Sequence, residues 1–291
     1  MRTPTATTVG GALDEGARRL LSTRPRSPRL DAEMLLGHVL GLTRTELYAR
    51  ADQAVPASKL QDYRRLLDAR ETGVPVAYLV GWKEFYSRRF WVSPKVLIPR
   101  PETEVLVEEA MKVLSRQGLT RPRILDVGTG SGVLAITLAL ELPLAEVVAV
   151  DIESAAIEQA LENARLHEVA DRILFETCDL FEAVEGRFDL IVSNPPYVGI
   201  DQGPRPEVAV VKNEPHQALF AGSQGLDVIE RLVAGAPRHL NGGGEILLEC
   251  APFQVERVEA KLVDAGFHQT RIIPDLSGLP RAVAGRWEEK S

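Results

Sequence analysis

Short apolar segments alternate with helical segments through the C-terminal part of the chain, and this alternation restricts the possible fold more than any other feature. The segments with strand character occupy residues 124–127, 147–151, 173–175, 190–192 and 246–249. Alternating strands and helices of this kind predict an α/β fold with a doubly wound, mainly parallel sheet. Residues 271–273 and 282–287 are predicted to close that sheet as a strand pair. Ligands of such sheets bind beyond the carboxyl ends of the strands, so those ends are the candidate sites.

The N-terminal segment has a different pattern, because helix signals occur there without strand signals. Ser27 and Pro28 predict a helix start, and apolar residues follow at positions 30, 34, 35 and 39. A further helix is predicted from Ser58, with apolar residues at 60, 63, 66 and 67 and an end at Gly73. We therefore predict a separate helical domain over residues 1–76.

Residues 77–101 are predicted to form a linker that contains a β-hairpin. Two β-prone triplets, at residues 84–86 and 90–92, lie on either side of residues 87–89. Two prolines keep residues 97–102 extended, and a helix is predicted from Thr103 onwards. The sheet-forming domain is then expected over residues 102–291.

The charge balance argues against nucleic acid as a partner. The 291 residues include 34 Lys and Arg against 41 Asp and Glu, which gives a formal net charge of −7. Proteins that bind the phosphate backbone usually have a basic surplus, because phosphate neutralisation supplies most of their affinity. This chain has no such surplus.

Cysteine content and hydropathy exclude several other classes. Cys178 and Cys250 are too isolated for a disulfide scaffold or a zinc site, and the histidines have no metal-ligand spacing, so no metal is predicted. No apolar run reaches the ~20 residues of a membrane span, and the N-terminus lacks the apolar core of a secretory signal. The expected protein has no membrane partner and is cytoplasmic.

A glycine-rich loop directly follows the first predicted strand of the sheet. This glycine loop consists of Gly128, Thr129, Gly130, Ser131 and Gly132. Glycines at such a turn allow positive φ angles and let a ligand approach the backbone closely. The dinucleotide fingerprint needs its third glycine one residue later, where Val133 stands, and no Walker lysine follows. The loop therefore disfavours NAD and nucleoside triphosphates, although a tight strand–helix turn without a ligand is an alternative.

Two further residues at strand ends complete the predicted cofactor site. Asp151 ends the second strand about 20 residues beyond the glycine loop, where a carboxylate can accept both hydroxyls of a ribose. Leu180 follows the third strand and is placed to cover one face of an adenine ring. The combination fits an adenosyl group without a pyrophosphate and predicts S-adenosylmethionine as the cofactor. Alternatively, Asp151 caps the next helix and Leu180 is an ordinary buried leucine.

The acceptor loop, which we define as residues 194–197, directly follows the strand at 190–192. It consists of Asn194, Pro195, Pro196 and Tyr197. Because the two prolines remove two N–H donors, the Asn194 side-chain oxygen and the Pro195 carbonyl can accept both hydrogens of a planar NH₂ group, with Tyr197 stacked on its face. Such an arrangement orients a weakly nucleophilic amide or aromatic amine for methyl transfer, without a general base. A simple strand-ending turn is the alternative.

Several segments together resemble the HemK/PrmC family of N5-glutamine methyltransferases. The acceptor loop alone is also found in adenine-N6 DNA methyltransferases, so the more specific segments decide. These are residues 97–104, 78–81 with 84–85, 214–215 with 218–219, and 275–278 with Arg281. The resemblance covers about residues 30–287. The chain departs from the family at residues 249–252, where relatives commonly carry Glu-His-Gly and this chain has Glu249 followed by Cys250, and at Leu180, where some members have tryptophan.

The resemblance implies a class I S-adenosylmethionine-dependent methyltransferase domain, preceded by a hairpin linker and an N-terminal helical bundle that recognises the substrate. It implies cofactor binding by residues 128–132, Asp151, Leu180 and Asn194, and catalysis and substrate binding by the acceptor loop. The implied substrate is the glutamine of a Gly-Gly-Gln loop in a peptide chain release factor, with S-adenosylhomocysteine as product and an effect on translation termination. The enzyme is expected to be a monomer.

Two other functions stay open on the sequence alone. An adenine-N6 methyltransferase acting on DNA or RNA would share the acceptor loop, but it would need a basic cleft and a base-recognition region. A non-enzymatic binding module with the same fold would predict a damaged glycine loop or acceptor loop, and both sequences are intact.

Overall fold

The computed structural model describes residues 7–21, 27–201, 203 and 207–289, and the chain divides into two compact units. The first unit comprises Met1–Trp82 with Val208–Asn213, and the second comprises Lys83–Glu207 with Glu214–Ser291. The functional division into residues 1–76, 77–101 and 102–291 stays a prediction.

The first unit is a helical bundle. Its helices are α1 (Val9–Leu20), α2 (Pro28–Leu40), α3 (Arg44–Ala49), α4 (Ala57–Glu71) and α5 (Val76–Val80). The helices predicted to start near Ser27 and Ser58 are present as α2 and α4, although Ser27 makes no side-chain cap hydrogen bond. The predicted apolar stripe of α2 is partly wrong, because Leu30 is exposed and Glu33 is buried. Glu33 is buried because Arg29 and Arg44 both donate to its carboxylate, a tertiary contact that hydrophobic patterning does not reveal.

The predicted hairpin is present, but its turn lies earlier than the β-propensity indicated. Its strands are β1 (Trp82–Phe85) and β2 (Arg88–Trp91). Tyr86 and Ser87 form the turn with φ angles of 49° and 59°. A two-residue hairpin turn of this kind needs positive φ at both positions, so Tyr86 belongs to the turn despite its preference for strands.

The second unit contains a seven-stranded sheet in the order β5-β4-β3-β6-β7-β9-β8. Its strands are β3 (Arg123–Val127), β4 (Glu146–Asp151), β5 (Ile173–Thr177), β6 (Phe188–Ser193), β7 (Leu240–Glu249), β8 (His268–Pro274) and β9 (Pro280–Arg286). Strands β3 to β7 are parallel, whereas β9 runs antiparallel to both of its neighbours. The predicted doubly wound, mainly parallel sheet with a closing strand pair is therefore confirmed.

Helices cover the sheet on both faces. The other α-helices in the part of the chain that the structure describes are α6 (Glu104–Gln117), α7 (Val133–Glu141), α8 (Ser154–Leu166), α9 (Val208–Asn213), α10 (Asp227–Gly235) and α11 (Val255–Asp264). Successive residues of β6 point to opposite faces, so Leu190 and Val192 pack in one core cluster and Ile191 in the other. Helix α9 belongs to the first unit, where the Asn213 amide donates to the Gly73 carbonyl.

None of the helices in the described ranges is both long enough and apolar enough to span a bilayer.

Candidate active site

A cavity of about 300 Å³ opens at the carboxyl edge of the sheet, beside the ends of β3, β4 and β6. This volume is at the lower end of the ~300–1,000 Å³ range of small-molecule pockets. The predicted site residues that line it are Gly128, Thr129, Gly130, Ser131, Asp151, Leu180, Asn194, Pro195 and Pro196. Gly132 and Tyr197 are not part of the lining. Residues from four separate strand ends thus meet at one place, as expected for a doubly wound sheet.

The glycine loop connects β3 to α7 through three residues with left-handed backbone. The φ angles of Gly128, Gly130 and Gly132 are 74°, 56° and 83°. A Cβ atom built on Gly128 or Gly130 would meet nothing within 4 Å, so these two glycines leave open space in the cavity wall. A Cβ on Gly132 would lie 2.8 Å from Ile136 Cδ1 and 3.0 Å from Ala160 Cβ. Gly132 is therefore required for close packing of α7 and α8, and the other two for access to the backbone.

Asp126, the penultimate residue of β3, holds the glycine loop in place through hydrogen bonds. Its Oδ2 accepts hydrogen bonds from Thr129 Oγ1 at 2.7 Å and from the Ala135 amide at 3.1 Å. The side chain is fully buried, and Oδ1 has no hydrogen-bond partner among the described residues. Burial raises the pKa of Asp126 to about 7, against the lowering effect of the two hydrogen bonds.

Asp151 reaches the cavity from the end of β4. Its Oδ2 accepts from the Gly130 amide at 2.9 Å and its Oδ1 from the Glu153 amide at 3.0 Å. Burial raises the pKa of Asp151, and the hydrogen bonds from the Glu153 and Gly130 amides lower it. Each carboxylate oxygen has a second lone pair, so Asp151 can still accept the two hydroxyls of a ribose.

Leu180 lines the cavity in a conformation that is unusual for a leucine. Its φ angle is 52°, in the left-handed region that costs an L-residue about 1–2 kcal/mol. The preceding residue, Asp179, forms an ion pair with Arg231 of α10 at 2.8 Å. Leu180 therefore offers an apolar side chain to the cavity, and its contact with an adenine ring stays a prediction.

These features fit an adenosyl cofactor. The glycine loop offers open backbone, Asp151 offers two acceptor atoms, and Leu180 offers an apolar surface, all around one cavity. Within the ranges that the structure describes, no group of three or more His, Cys, Asp and Glu side chains is placed to hold a metal ion.

The acceptor loop begins where β6 ends, and side chains from distant parts of the chain hold it. Ser193 Oγ donates to the Val127 carbonyl at 2.6 Å, which ties the ends of β6 and β3 together. Asn194 Nδ2 donates to Thr103 Oγ1 at 3.0 Å. Since the amide oxygen and nitrogen lie on opposite edges of the group, this bond leaves Asn194 Oδ1 free to accept. Both Thr103 and Asn194 line the cavity.

Tyr197 packs against the core cluster that contains β7 and α11 instead of lining the cavity. Its hydroxyl donates to Glu249 Oε1 at 3.2 Å, and its carbonyl accepts from Gln254 Nε2 at 3.0 Å. Burial and the negative charge of Glu249 raise the pKa of Tyr197, so the hydroxyl keeps its proton and acts as a donor. The role of Tyr197 as a stacking surface for substrate stays a prediction.

The segment before α6 forms the wall of the cavity next to Thr103. Glu214 has a buried side chain that accepts from the Ile98 amide at 3.2 Å and pairs with Arg100 at 2.7 Å. Val96, Leu97, Pro99 and Arg100 all contribute to the lining. Two segments far apart in sequence, residues 97–103 and 214–218, are thereby joined at the rim.

Sequence reasoning assigned no site role to Thr103, Glu214 or Glu249. Thr103 was expected as a helix start and, like Glu214, stood in a segment that carried the family resemblance, whereas Glu249 stood where the chain departs from the family. One signal could have identified Glu249, because it ends a strand at the same edge of the sheet as Asp126 and Asn194.

A mainly parallel sheet closed by an antiparallel strand, with a cavity that fits an adenosyl group at its carboxyl edge, is the architecture of a class I S-adenosylmethionine-dependent methyltransferase. Residues 102–205 match the methyltransferase small domain. The Thermus thermophilus 16S rRNA N2 G1207 methyltransferase, solved with AdoMet and guanosine, has the same fold, with a TM-score of 0.53 at 22% identity over 72% of this chain and 50% of that one.

Relatives that align over most of the chain identify the family to which it belongs. Residues 11–81 match the PrmC N-terminal domain. The release factor glutamine methyltransferase of Koribacter versatilis is 41% identical over 281 residues, covering 96% of this chain and 98% of that protein. The protein of the same name from Neisseria gonorrhoeae is 42% identical over 268 residues, covering 89% and 94%. The chain belongs to the release factor glutamine methyltransferase family, which confirms the predicted resemblance.

Proposed function

We propose that this protein methylates the side-chain amide nitrogen, N5, of the glutamine in the Gly-Gly-Gln loop of a peptide chain release factor and thereby modulates translation termination. Bound S-adenosylmethionine supplies the methyl group from its sulfonium and leaves as S-adenosylhomocysteine. The observation that carries the proposal is the hydrogen bond from Asn194 Nδ2 to Thr103, which turns the amide oxygen of Asn194 toward an incoming NH₂ group at the cavity.

Two acceptors in the acceptor loop orient the substrate. Asn194 Oδ1 accepts one hydrogen of the glutamine NH₂ group, and the Pro195 carbonyl accepts the other. Two fixed acceptors define the plane of the substrate amide, so its nitrogen presents one face to the cofactor side of the cavity. An amide nitrogen is a weak nucleophile, and such orientation supplies much of the required rate enhancement. The nitrogen gives up one proton to water after it has received the methyl group.

The partner follows from the family. The helical unit, which contains the match to the PrmC N-terminal domain, is proposed to bind the release factor, with the enzyme acting as a monomer. A substrate that acts in translation supports the cytoplasmic location. The net charge of −7 is in keeping with a protein substrate.

The two other functions are not favoured. Relatives that align over about nine-tenths of the chain are named release factor glutamine methyltransferases, which disfavours an adenine-N6 methyltransferase. A binding module without activity would not need an intact cavity, an intact glycine loop and an oriented Asn194.

The test is a transfer assay with methyl-labelled S-adenosylmethionine and the purified full-length chain. One arm contains an unmethylated release factor, a second contains the same factor with its Gly-Gly-Gln glutamine changed to alanine, and a third contains unmethylated DNA. We expect label only in the first arm, mapped by mass spectrometry to the glutamine. Label in the second arm would refute the assigned glutamine, and label only on DNA adenine would refute the proposed substrate class.

A further inference from the structure

A buried glutamine lies beside the last residue of the acceptor loop, and every polar atom of its side chain is hydrogen-bonded. Gln254 immediately precedes α11 and is fully buried. Its Nε2 donates to the carbonyls of Tyr197 at 3.0 Å and Gln224 at 3.1 Å, and less closely to that of Gly225 at 3.4 Å. Its Oε1 accepts from the Ala251 amide at 3.0 Å. One side chain thus joins three segments, of which the acceptor loop is one.

The start of α11 does not account for this glutamine. Position 254 is the N-cap of the helix, where Ser, Thr, Asn and Asp are preferred because their short side chains bond to the first free amides. The Gln254 side chain makes no such cap hydrogen bond. Its amide group bonds instead to residues that lie outside the helix. These contacts therefore serve the segments around Gln254.

Three backbone carbonyls converge on the NH₂ group of Gln254. Buried carbonyl oxygens need a donor, and Gln254 supplies one to all three. The bond from the Ala251 amide fixes the orientation of the side chain, since the opposite orientation would place Oε1 against the carbonyls and Nε2 against an N–H group. The close approach also needs Gly225, because a Cβ there would lie 2.2 Å from the Tyr197 carbonyl oxygen. The last residue of the acceptor loop is therefore held from two sides.

The prolines of the acceptor loop transmit the position of Tyr197 to the substrate. Pro195 and Pro196 have no N–H group, so neither can donate a backbone hydrogen bond that would hold the middle of the loop. Each proline fixes its own φ near about −65° and restricts the residue before it, so the segment is stiff. A displacement of Tyr197 therefore moves the Pro195 carbonyl, which is the proposed acceptor for one hydrogen of the substrate NH₂ group.

We propose that Gln254 is a positioning residue for methyl transfer, which holds the end of the acceptor loop and thereby sets the position of the Pro195 carbonyl toward the substrate NH₂ group. This inference rests on the proposed function. Ser193 ties the start of the loop to the Val127 carbonyl, and Gln254 holds its end. Gln254 is not part of the cavity lining, so its effect on the reaction passes through the backbone of the loop.

A second buried amide holds the glycine loop in a similar way and provides a matched control. Asn163 lies on α8 and is fully buried. Its Nδ2 donates to the carbonyls of Ser131 at 2.8 Å and Trp91 at 2.9 Å, and its Oδ1 accepts from the Trp91 amide at 2.7 Å. Loss of either amide removes a set of buried hydrogen bonds, but the two losses affect different loops.

The first arm of the test compares Gln254→Met with Asn163→Leu, which replace each amide by an apolar group of similar shape. Gln254→Met should lower kcat for the release factor by about 10²-fold, the effect of misplaced reacting groups. Its Kd for S-adenosylmethionine should stay nearly unchanged, because Thr103 still holds Asn194. Asn163→Leu should raise that Kd by about tenfold and nearly keep kcat at saturating cofactor. An unchanged kcat in Gln254→Met, or equal losses of kcat in both variants, would overturn the inference.

The second arm disturbs the same contact from the other side and stays informative if Gln254→Met does not fold. Gly225→Ala places a methyl group against the Tyr197 carbonyl and should lower kcat as Gln254→Met does. The control is Gly118→Ala at the end of α6, because its φ of 65° resembles the 73° of Gly225 and its Cβ would meet nothing within 4 Å. Gly118→Ala should keep the kcat of the natural protein, and equal kcat values in the two variants would overturn the inference.

The third arm needs neither a release factor nor activity. The Val198 amide directly follows the acceptor loop and donates to the Leu219 carbonyl at 2.8 Å. In the ¹⁵N-labelled protein, hydrogen exchange of this amide should be about tenfold faster in Gln254→Met than in the natural protein, and unchanged in Asn163→Leu. Equal exchange rates in all three proteins would overturn the inference. Faster exchange in a protein that methylates no release factor would support the role of Gln254 in holding the loop and refute only the proposed function.

Discussion

The two loops that enclose the cavity each rest on a fully buried carboxyl group, but the two carboxyls hold their loops in different ways. Asp126 lies under the glycine loop and Glu249 behind the acceptor loop, and burial raises the pKa of each to about 7. Asp126 contacts Thr129 and Ala135, which follow it closely in sequence. Glu249 accepts from the hydroxyl of Tyr197, which is distant from it in sequence.

This difference separates the residues that serve cofactor binding from those that serve methyl transfer. The glycine loop is a local structure, because one strand, one turn and one helix contain every group that shapes it. The acceptor loop is a tertiary structure, because it is held by Thr103, which precedes α6, and by Glu249 at the end of β7. Damage to the glycine loop should therefore weaken cofactor binding, whereas damage around the acceptor loop should slow transfer at unchanged cofactor affinity.

The largest expected effect comes from the acceptor loop itself. Asn194→Ala removes the side-chain oxygen that orients the substrate NH₂ group and should lower kcat by about 10²–10³-fold, as loss of one preorganised hydrogen-bonding group does elsewhere. Calorimetry should show that S-adenosylmethionine still binds. The matched control is Asn241→Ala, whose amide donates to Asp189 at the opposite end of the sheet and should leave kcat unaltered. Equal turnover in the two variants would contradict the separation of the two loops.

The contrast between local and tertiary structure also explains which elements could be predicted from the sequence and which could not. The positions of β3 and the glycine loop could be predicted because their apolar run and glycines are adjacent in sequence and determine the backbone locally. The first half of β7 was missed, since the glycines at residues 242–244 have no strand preference and lie at an irregularity in the pairing with β6, where the Gly243 amide donates to the Trp287 carbonyl.

Long-range contacts account for what the sequence did not reveal about the site. The hydrogen-bond acceptors of the acceptor loop could be predicted from residue types alone. The orientation of the Asn194 amide could not, because it depends on a hydrogen bond to Thr103, which only the fold brings close to Asn194. Buried polar groups are paired by tertiary structure, and a pattern of apolar residues contains no information on those pairs.

A smaller effect is expected at the glycine loop. Gly130→Ala should weaken S-adenosylmethionine binding by about tenfold, equivalent to about 1.4 kcal/mol, because its Cβ would enter the open cavity wall. The control is Gly118→Ala at the end of α6, where φ is 65° and a Cβ likewise meets no atom. Both variants should lose about 1–2 kcal/mol of unfolding free energy from backbone strain, measured by urea denaturation. Only Gly130→Ala should lose cofactor affinity, and equal affinities in the two would show that the loop does not contact the cofactor.

The smallest expected effect distinguishes the two carboxyls by pH. The pKa of Asp126 is about 7 in the folded protein and near 3.8 when solvated, so the folded state retains a proton that the unfolded state has released. Asp126 therefore stabilises the fold most at low pH, and its contribution falls as the pH rises from about 4 through about 7. Relative to Asp126→Asn, the natural protein should lose roughly 1 kcal/mol of unfolding free energy between about pH 5 and about pH 6. Urea denaturation at several pH values measures this difference.

Glu249 titrates over the same range, but its contribution is common to both proteins and cancels if the two carboxyls are independent. Parallel stability curves for the two proteins would mean that Asp126 is already ionised beneath the glycine loop. The two loops would then share the position of a buried carboxyl group, but not its raised pKa.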